Sequence, residues 1–201
     1  MNYRQKSVRI ADICSVQSGF TARGRLEFDQ EAGRLAIQLR DLSLAEAGDQ
    51  AQLPLFAFSD PVARYLVGSG DVLFRSRGEQ NTAHVVGAGI KDKAVAVLPL
   101  LVLRPDLRRV FPHYLAWVIN QGPAQAQLDR AARGSAMRMI PKPALEALEI
   151  PLPDAETQAA IIVMDNLAAE EQRLTERLGS LRRQLWRQLL VNRAQCPKLN
   201  Q

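Results

Sequence analysis

Arg75, Arg77, Gln80 and Asn81 stand within seven residues of one another, in a polar stretch that follows the apolar run Val72-Leu73-Phe74 and contains Gly78. These side chains share one kind of chemistry. An arginine fork matches the two acceptors of a guanine edge, and Gln and Asn amides match the donor and acceptor of adenine, so the group is equipped to read bases. The same residues also suit a solvated hairpin tip, and composition leaves both readings open. Arg23 and Arg25, on either side of Gly24, form a second cluster that suits phosphates more than bases. Arg138, with Arg130 and Arg133 around Gly134, is a third group, in which a structural role competes with DNA contact. Arg104, Arg108 and Arg109 around Pro105 read as surface charge.

No residue set for catalysis accompanies these clusters. Gly68-Ser69-Gly70 precedes a strand instead of following one, unlike the phosphate-cradling loops of dinucleotide and P-loop enzymes. Asp71 and Glu79 flank a strand end near Arg77, as a metal-dependent nuclease pair would, but no Glu-x-Lys follows. Ser76 and Ser135 have no histidine at a readable spacing, and His84 beside Val85-Val86 reads as a core or turn histidine. The Asn/Asp-Pro-Pro-aromatic motif of a methyltransferase is absent. Cys14 and Cys196 lie near opposite ends and His84 and His113 are far apart, so neither a disulfide framework nor a zinc set is expected. The expectation is a non-enzymatic chain without metal or cofactor.

Charge is placed unevenly. Of the net +5, residues 1–153 carry +4, residues 154–193 carry none, and Lys198 supplies the rest. Arginine outnumbers lysine 21 to 5, which favours phosphate and guanine recognition, although a GC-rich gene raises arginine as well. With 201 residues and 47% hydrophobic content, the chain has material for one domain and an appendage. It lacks an apolar run of membrane-spanning length and an apolar stretch after Arg4, Lys6 and Arg9, so a soluble cytoplasmic protein is expected.

The elements that must position the arginines read as short strands and a few helices, an α+β pattern. Strands are expected at Arg34 to Leu39, Gly70 to Arg75, His84 to Val86, Ala94 to Val97 and Leu100 to Leu103, punctuated by glycines and Pro99. Phe111 to Asn120, with Pro112 in its first turn, is the clearest interior helix, stopped by Gly122. A second short helix is expected over Gln125 to Ala132, then a turn and strand from Gly134 to Ile140. The short apolar strand Leu148 to Leu152 ends at Pro153, and no helix can run through Pro151 and Pro153. Beyond it, Asp154 to Arg193 holds no proline and only Gly179, so it reads as one long helix with Asp154 and Glu156 at its positive end. Leu167, Leu174, Leu178, Leu181 and Leu185 follow the 3–4 spacing of a heptad seam, extended backward by Met164 and interrupted by Glu171. A helix of about 60 Å exceeds the width of a small domain, so this seam needs a partner chain or must fold back on its own domain. The expected organisation is a domain over 1–153, a helix over 154–194 and a tail over 195–201.

The order of these segments resembles the specificity subunits of type I restriction-modification systems. Gly70 to Gly78 resembles the family's G-D-[IV]-L-[FI] strand and polar turn; Leu101 to Pro105, Phe111 to Asn120 and Gly134 to Ile140 resemble the strand, helix and glycine-led turn that follow. Ile150-Pro151-Leu152-Pro153 with Glu156, Gln158 and Ile161 is similar to its I-P-L-P-x-x-x-E-Q-x-x-I junction, with Thr157 separating the usual Glu-Gln pair. The resemblance runs from about Val8 to Leu190, but full-length members have two target-recognition domains and two long helices where this chain has one of each. It therefore resembles a half-subunit.

What the resemblance implies is a non-catalytic DNA-binding subunit that directs a DNA methyltransferase subunit, and in some systems a restriction subunit, to a bipartite target. One recognition domain reads each half-site, the helix serves as spacer and docking surface, and a half-subunit would restore two domains by pairing antiparallel as a homodimer. A two-fold dimer reads an inverted repeat. The alternative from the residues alone is a protein-interaction adaptor that assembles a complex through its helix without touching DNA. Salt separates the two, because phosphate contacts weaken steeply with salt and leucine packing barely responds.

Overall fold

The computed structural model describes residues 7–22, 24–58, 61–134 and 138–195. The architecture is α+β, with a long C-terminal helix. In chain order the elements are β1 (Ser7–Arg9), β2 (Cys14–Ser18), β3 (Arg34–Ile37), α1 (Leu42–Ala47), β4 (Leu55–Phe56), β5 (Leu66–Val67), β6 (Val72–Arg75) and β7 (Ala83–Val85). There follow β8 (Ala94–Ala96), β9 (Leu100–Pro105), α2 (Pro112–Ile119), α3 (Gly122–Ala131), α4 (Lys142–Glu146), β10 (Glu149–Pro151) and α5 (Ala155–Gln195). Contacts divide the chain into two compact units, Met1–Ala159 and Ala160–Gln201.

The first unit is built on two four-stranded sheets and one ribbon. One sheet has the order β2-β9-β6-β7, antiparallel throughout; the other runs β4-β3-β8-β5, with β3 and β8 parallel. β1 pairs antiparallel with β10, so the two ends of this unit share a ribbon. Strand β9 shows why its sequence is apolar without alternation. Leu100 and Val102 join Ile37, Leu42, Leu73 and Ala96 in one core, while Leu101 and Leu103 are equally buried on the opposite face. A second core, of Phe20, Ala36, Phe56, Val62, Val95 and Val97, covers the other side of β3 and β8.

Several expectations meet a different local outcome. Gly122 does not end a helix but opens α3, with Pro123 in the first turn, where a missing N–H costs nothing. Met139 forms bridges with Arg77 and with Arg133 instead of extending a strand to Ile140. The helix after Pro153 is continuous for 41 residues. Asp154 caps it, its Oδ1 accepting the Thr157 N–H at 2.8 Å. Leu167, Leu174, Leu178, Leu181 and Leu185 are 47 to 65% exposed, and none of the apolar residues described beyond Ala160 is buried.

Candidate nucleic-acid interface

Asp71 sets the start of β6. Its Oδ2 accepts the Gly68 N–H at 3.0 Å and its Oδ1 lies 3.8 Å from Arg104 Nε. Desolvation by burial raises the Asp71 carboxyl above the usual carboxylate value, against the opposing pull of Gly68, Arg104 and Lys93. Arg104 also donates to Gln17 Oε1 and to the Leu66 carbonyl, both at 2.9 Å, which ties β9 to β2 and β5. These groups serve the scaffold. Neither Asp71 nor Arg104 is free to meet a ligand without giving up a contact the sheet uses.

At the other end of β6 the hairpin to β7 opens into the loop that carries the predicted base-reading residues. Arg75 N–H donates to the Thr82 carbonyl at 2.8 Å, closing the loop, and its Nε donates to the Arg77 carbonyl at 3.2 Å. Gly78 sits at φ 125°, in the region L side chains rarely adopt, and an added Cβ would fall 2.7 Å from Arg75 Nη2. Arg77 and Gln80 are exposed. Asn81 is not: it is 5% exposed, and its Nδ2 donates to the Arg75 carbonyl at 3.0 Å. The Asn81 carbonyl in turn accepts from Gln125 Nε2 at 3.0 Å. Its amide is spent inside the loop and holds the loop's shape.

The stretch 133–140 lies along this loop. Gly78 N–H donates to the Arg138 carbonyl at 3.2 Å, and Ile140 N–H donates to the Ser76 carbonyl at 2.8 Å. Met139 exchanges two backbone hydrogen bonds with Arg133, at 2.9 and 3.0 Å, and bridges to Arg77 on its other side. Arg75 and Arg77 thus share one ledge with Arg133 and Arg138, from a stretch remote in sequence. Arg138 is paired with Asp129 at 2.5 Å, whereas Arg75, Arg77 and Arg133 form no ion pair with a described carboxylate. Such cations attract a polyanion strongly, because no internal carboxylate competes for them.

Ser76 joins the ledge to a cleft. Its N–H and hydroxyl both donate to the Pro99 carbonyl, at 3.2 and 2.5 Å, and Leu98 and Pro99 form one wall of a cavity of about 470 Å³. Arg25 also lines that cavity, together with Gln38 and Arg40, which the sequence did not single out. Arg23 and Ser135 lie outside the described residues. His84 is engaged on both ring nitrogens, with Glu46 Oε2 at 2.9 Å from Nδ1 and Thr82 Oγ1 at 2.9 Å from Nε2. Among the described residues no group of His, Cys, Asp and Glu is arranged to hold a metal ion, and no helix is long and apolar enough to cross a membrane.

No protein-family model matches this sequence, and no curated protein does. Solved structures do. The HsdS subunit from Thermoanaerobacter tengcongensis superposes with a TM-score of 0.55 at 19% identity, covering 89% of this chain and 39% of its own. A structure described as the basis of complex assembly and conformational transition of the type I R-M system gives 0.58 at 20%, covering 89% and 43%. The fold is that of a type I specificity subunit. A third match, the type I restriction-modification S subunit from M. genitalium, gives 0.53 at 15% identity, covering 90% and 43%. The chain therefore spans less than half the length of each specificity subunit it matches.

Within that fold, the side chain that ties the junction together is Gln158, which is 1% exposed. Its Oε1 accepts the Phe111 N–H at 2.9 Å, and its Nε2 donates to the Arg109 and Pro153 carbonyls at 3.0 Å. The junction motif pointed to this glutamine without showing what it binds, since two of its three partners, Phe111 and Arg109, lie 47 and 49 positions away.

Proposed function

We propose that this chain is a non-catalytic DNA-recognition subunit that directs a partner methyltransferase to a bipartite target. The observation that carries this reading is the specificity-subunit fold over 89% of the chain. The arginines of the ledge without an ion pair to a described carboxylate, Arg75, Arg77 and Arg133, support it at the level of charge; in this reading Arg77 and Gln80 meet base edges, while Arg133, the Asp129-paired Arg138 and Arg25 of the cleft meet phosphates.

Pairing with a second copy draws support from α5. From Glu156 to Glu176 it carries five acidic residues against Arg173 alone; from Arg177 to Arg193 it carries five arginines and no acid. A parallel pair would set like charges side by side, whereas an antiparallel pair sets each acidic half against a basic one. Antiparallel pairing through the leucine seam gives a two-fold assembly, which reads an inverted repeat whose spacing follows from helix length.

Co-expression with its neighbour-encoded methyltransferase, followed by mapping of methylated sites in the host genome, tests the reading. The expected result is a co-purifying complex that methylates one inverted, interrupted sequence. Methylation that is independent of this chain, or DNA binding by the complex with no salt dependence, refutes it.

A further inference from the structure

The cleft beside the ledge has a composition that phosphate contact alone does not explain. Among its described lining residues there are two arginines, Arg25 and Arg40, and no carboxylate, so its occupant is anionic or neutral. Arg40 keeps a partial partner, Asp41, at 3.7 Å, and Arg25 pairs with no described carboxylate. Yet the walls between them are apolar. Phe28 is 63% exposed and Leu98 37%, although both are large hydrophobic side chains. Phe28 is not loose: its ring stacks on buried Phe56 at 4.6 Å between centroids and 26° between planes, and its backbone bridges to Phe56. An aromatic ring held from behind and left open in front is a preformed contact surface.

Duplex DNA offers one apolar group in its major groove, the 5-methyl group of thymine, and it lies within reach of the phosphates on its own strand. Apolar walls between two arginines match that pairing of features. We propose that this cleft is a subsite for a pyrimidine 5-methyl group, with Phe28 and Leu98 contacting the methyl and Arg25 and Arg40 holding the flanking phosphates. The inference rests on the reading that this chain binds duplex DNA. It adds a specificity element distinct from the Arg77 loop, to which the cleft is joined through Ser76 and Pro99.

Replacing each thymine of the mapped target by deoxyuracil, one at a time, removes only the methyl group. Binding of these duplexes to the chain in complex with its methyltransferase is measured by fluorescence anisotropy. At one thymine per half-site the affinity should fall about fourfold, the effect of one buried methyl group. Phe28→Ala should bind the thymine and deoxyuracil duplexes equally at that position, while still discriminating at the bases read by the Arg77 loop. Leu98→Ala should narrow the difference in the same way and gives a second reading if Phe28→Ala does not fold. Equal binding of every deoxyuracil duplex by the unmodified complex overturns the subsite and leaves DNA recognition intact. Failure to bind any target specifically overturns both.

Discussion

Gln158 on the first turns of α5 accepts the N–H of Phe111, the residue that precedes α2, at 2.9 Å, and its amide donates to the carbonyls of Arg109 and Pro153 at 3.0 Å. One side chain satisfies three backbone groups. Gln158→Ala leaves the Phe111 N–H and two carbonyls without these partners, and a buried unsatisfied polar group costs about 1–3 kcal/mol. The expected outcome is a domain less stable by that amount, read from the urea midpoint. An unchanged midpoint would show that water replaces the amide at no cost and that the tie is not a stabilising element.

The loop after β6 holds an exposed arginine and a buried asparagine whose substitutions should act differently. Arg77→Ala should leave stability unchanged, because the side chain is exposed and, among the described residues, hydrogen-bonds only to Met139 Sδ at 3.7 Å. Specific binding should weaken by about 1–3 kcal/mol, with one base position relaxed, if the arginine reads a guanine. Uniform weakening over all sequences would make it a phosphate contact. Asn81→Ala should act differently, lowering the thermal midpoint first, because it removes the bond to the Arg75 carbonyl that shapes the loop. Titrating both variants against target and scrambled duplexes, beside thermal unfolding, distinguishes the two roles.

Much of this was legible in the sequence, and what was not has identifiable causes. β6, β8 and β9 carry runs such as Leu100-Leu101-Val102-Leu103, and α2 carries both an N-terminal proline and an apolar face, so period and punctuation agree. β2, Cys-Ser-Val-Gln-Ser, carries no strand signal in its sequence, because only Cys14 and Val16 are buried and its other residues are small or polar. β1 has three residues and gains its structure only from pairing with β10, a contact across some 140 positions that no local pattern encodes. The arginine ledge is hidden for the same reason. Arg77 and Arg133 flank Met139 because the sheet and α3 bring them together, and spacing along the chain gives no hint of it.

Burial in β2 makes a pH prediction. The Cys14 thiol is pushed by desolvation from an ordinary value of 9.0 up to about 12, and the Tyr114 hydroxyl, bonded to the Pro151 carbonyl, from 10.0 to about 12. The unfolded chain loses these protons first, so it binds fewer protons than the folded chain above pH 9, and stability falls as pH rises from 9 toward 12. Below pH 9 the thiol's contribution is complete. Urea midpoints at about pH 8 and about pH 10.5 should therefore fall more for the unmodified chain than for Cys14→Ala. Equal falls would mean that the thiol ionises as easily folded as unfolded, contradicting its burial.

The assembly claim rests on α5. Leu174, Leu178, Leu181 and Leu185 lie on one seam and are 47 to 55% exposed in the single chain. Covering a fully exposed leucine contributes about 1.5–3 kcal/mol, and with about half of each side chain still open a partner that buries these four gains roughly half of that at each. No residue of the first unit's core belongs to this stretch, so changing the seam should not unfold the domain. Leu178→Glu with Leu185→Glu is therefore expected to give a folded protein that neither dimerises nor binds its methyltransferase. Specific DNA binding should go with it, because a single half-site forfeits the second domain's contribution, while weak salt-sensitive binding through the arginines persists. Sedimentation velocity decides the matter. An unchanged oligomeric mass with methyltransferase binding intact would show that these leucines do not form the interface, and the two-fold model of target recognition would fall with it.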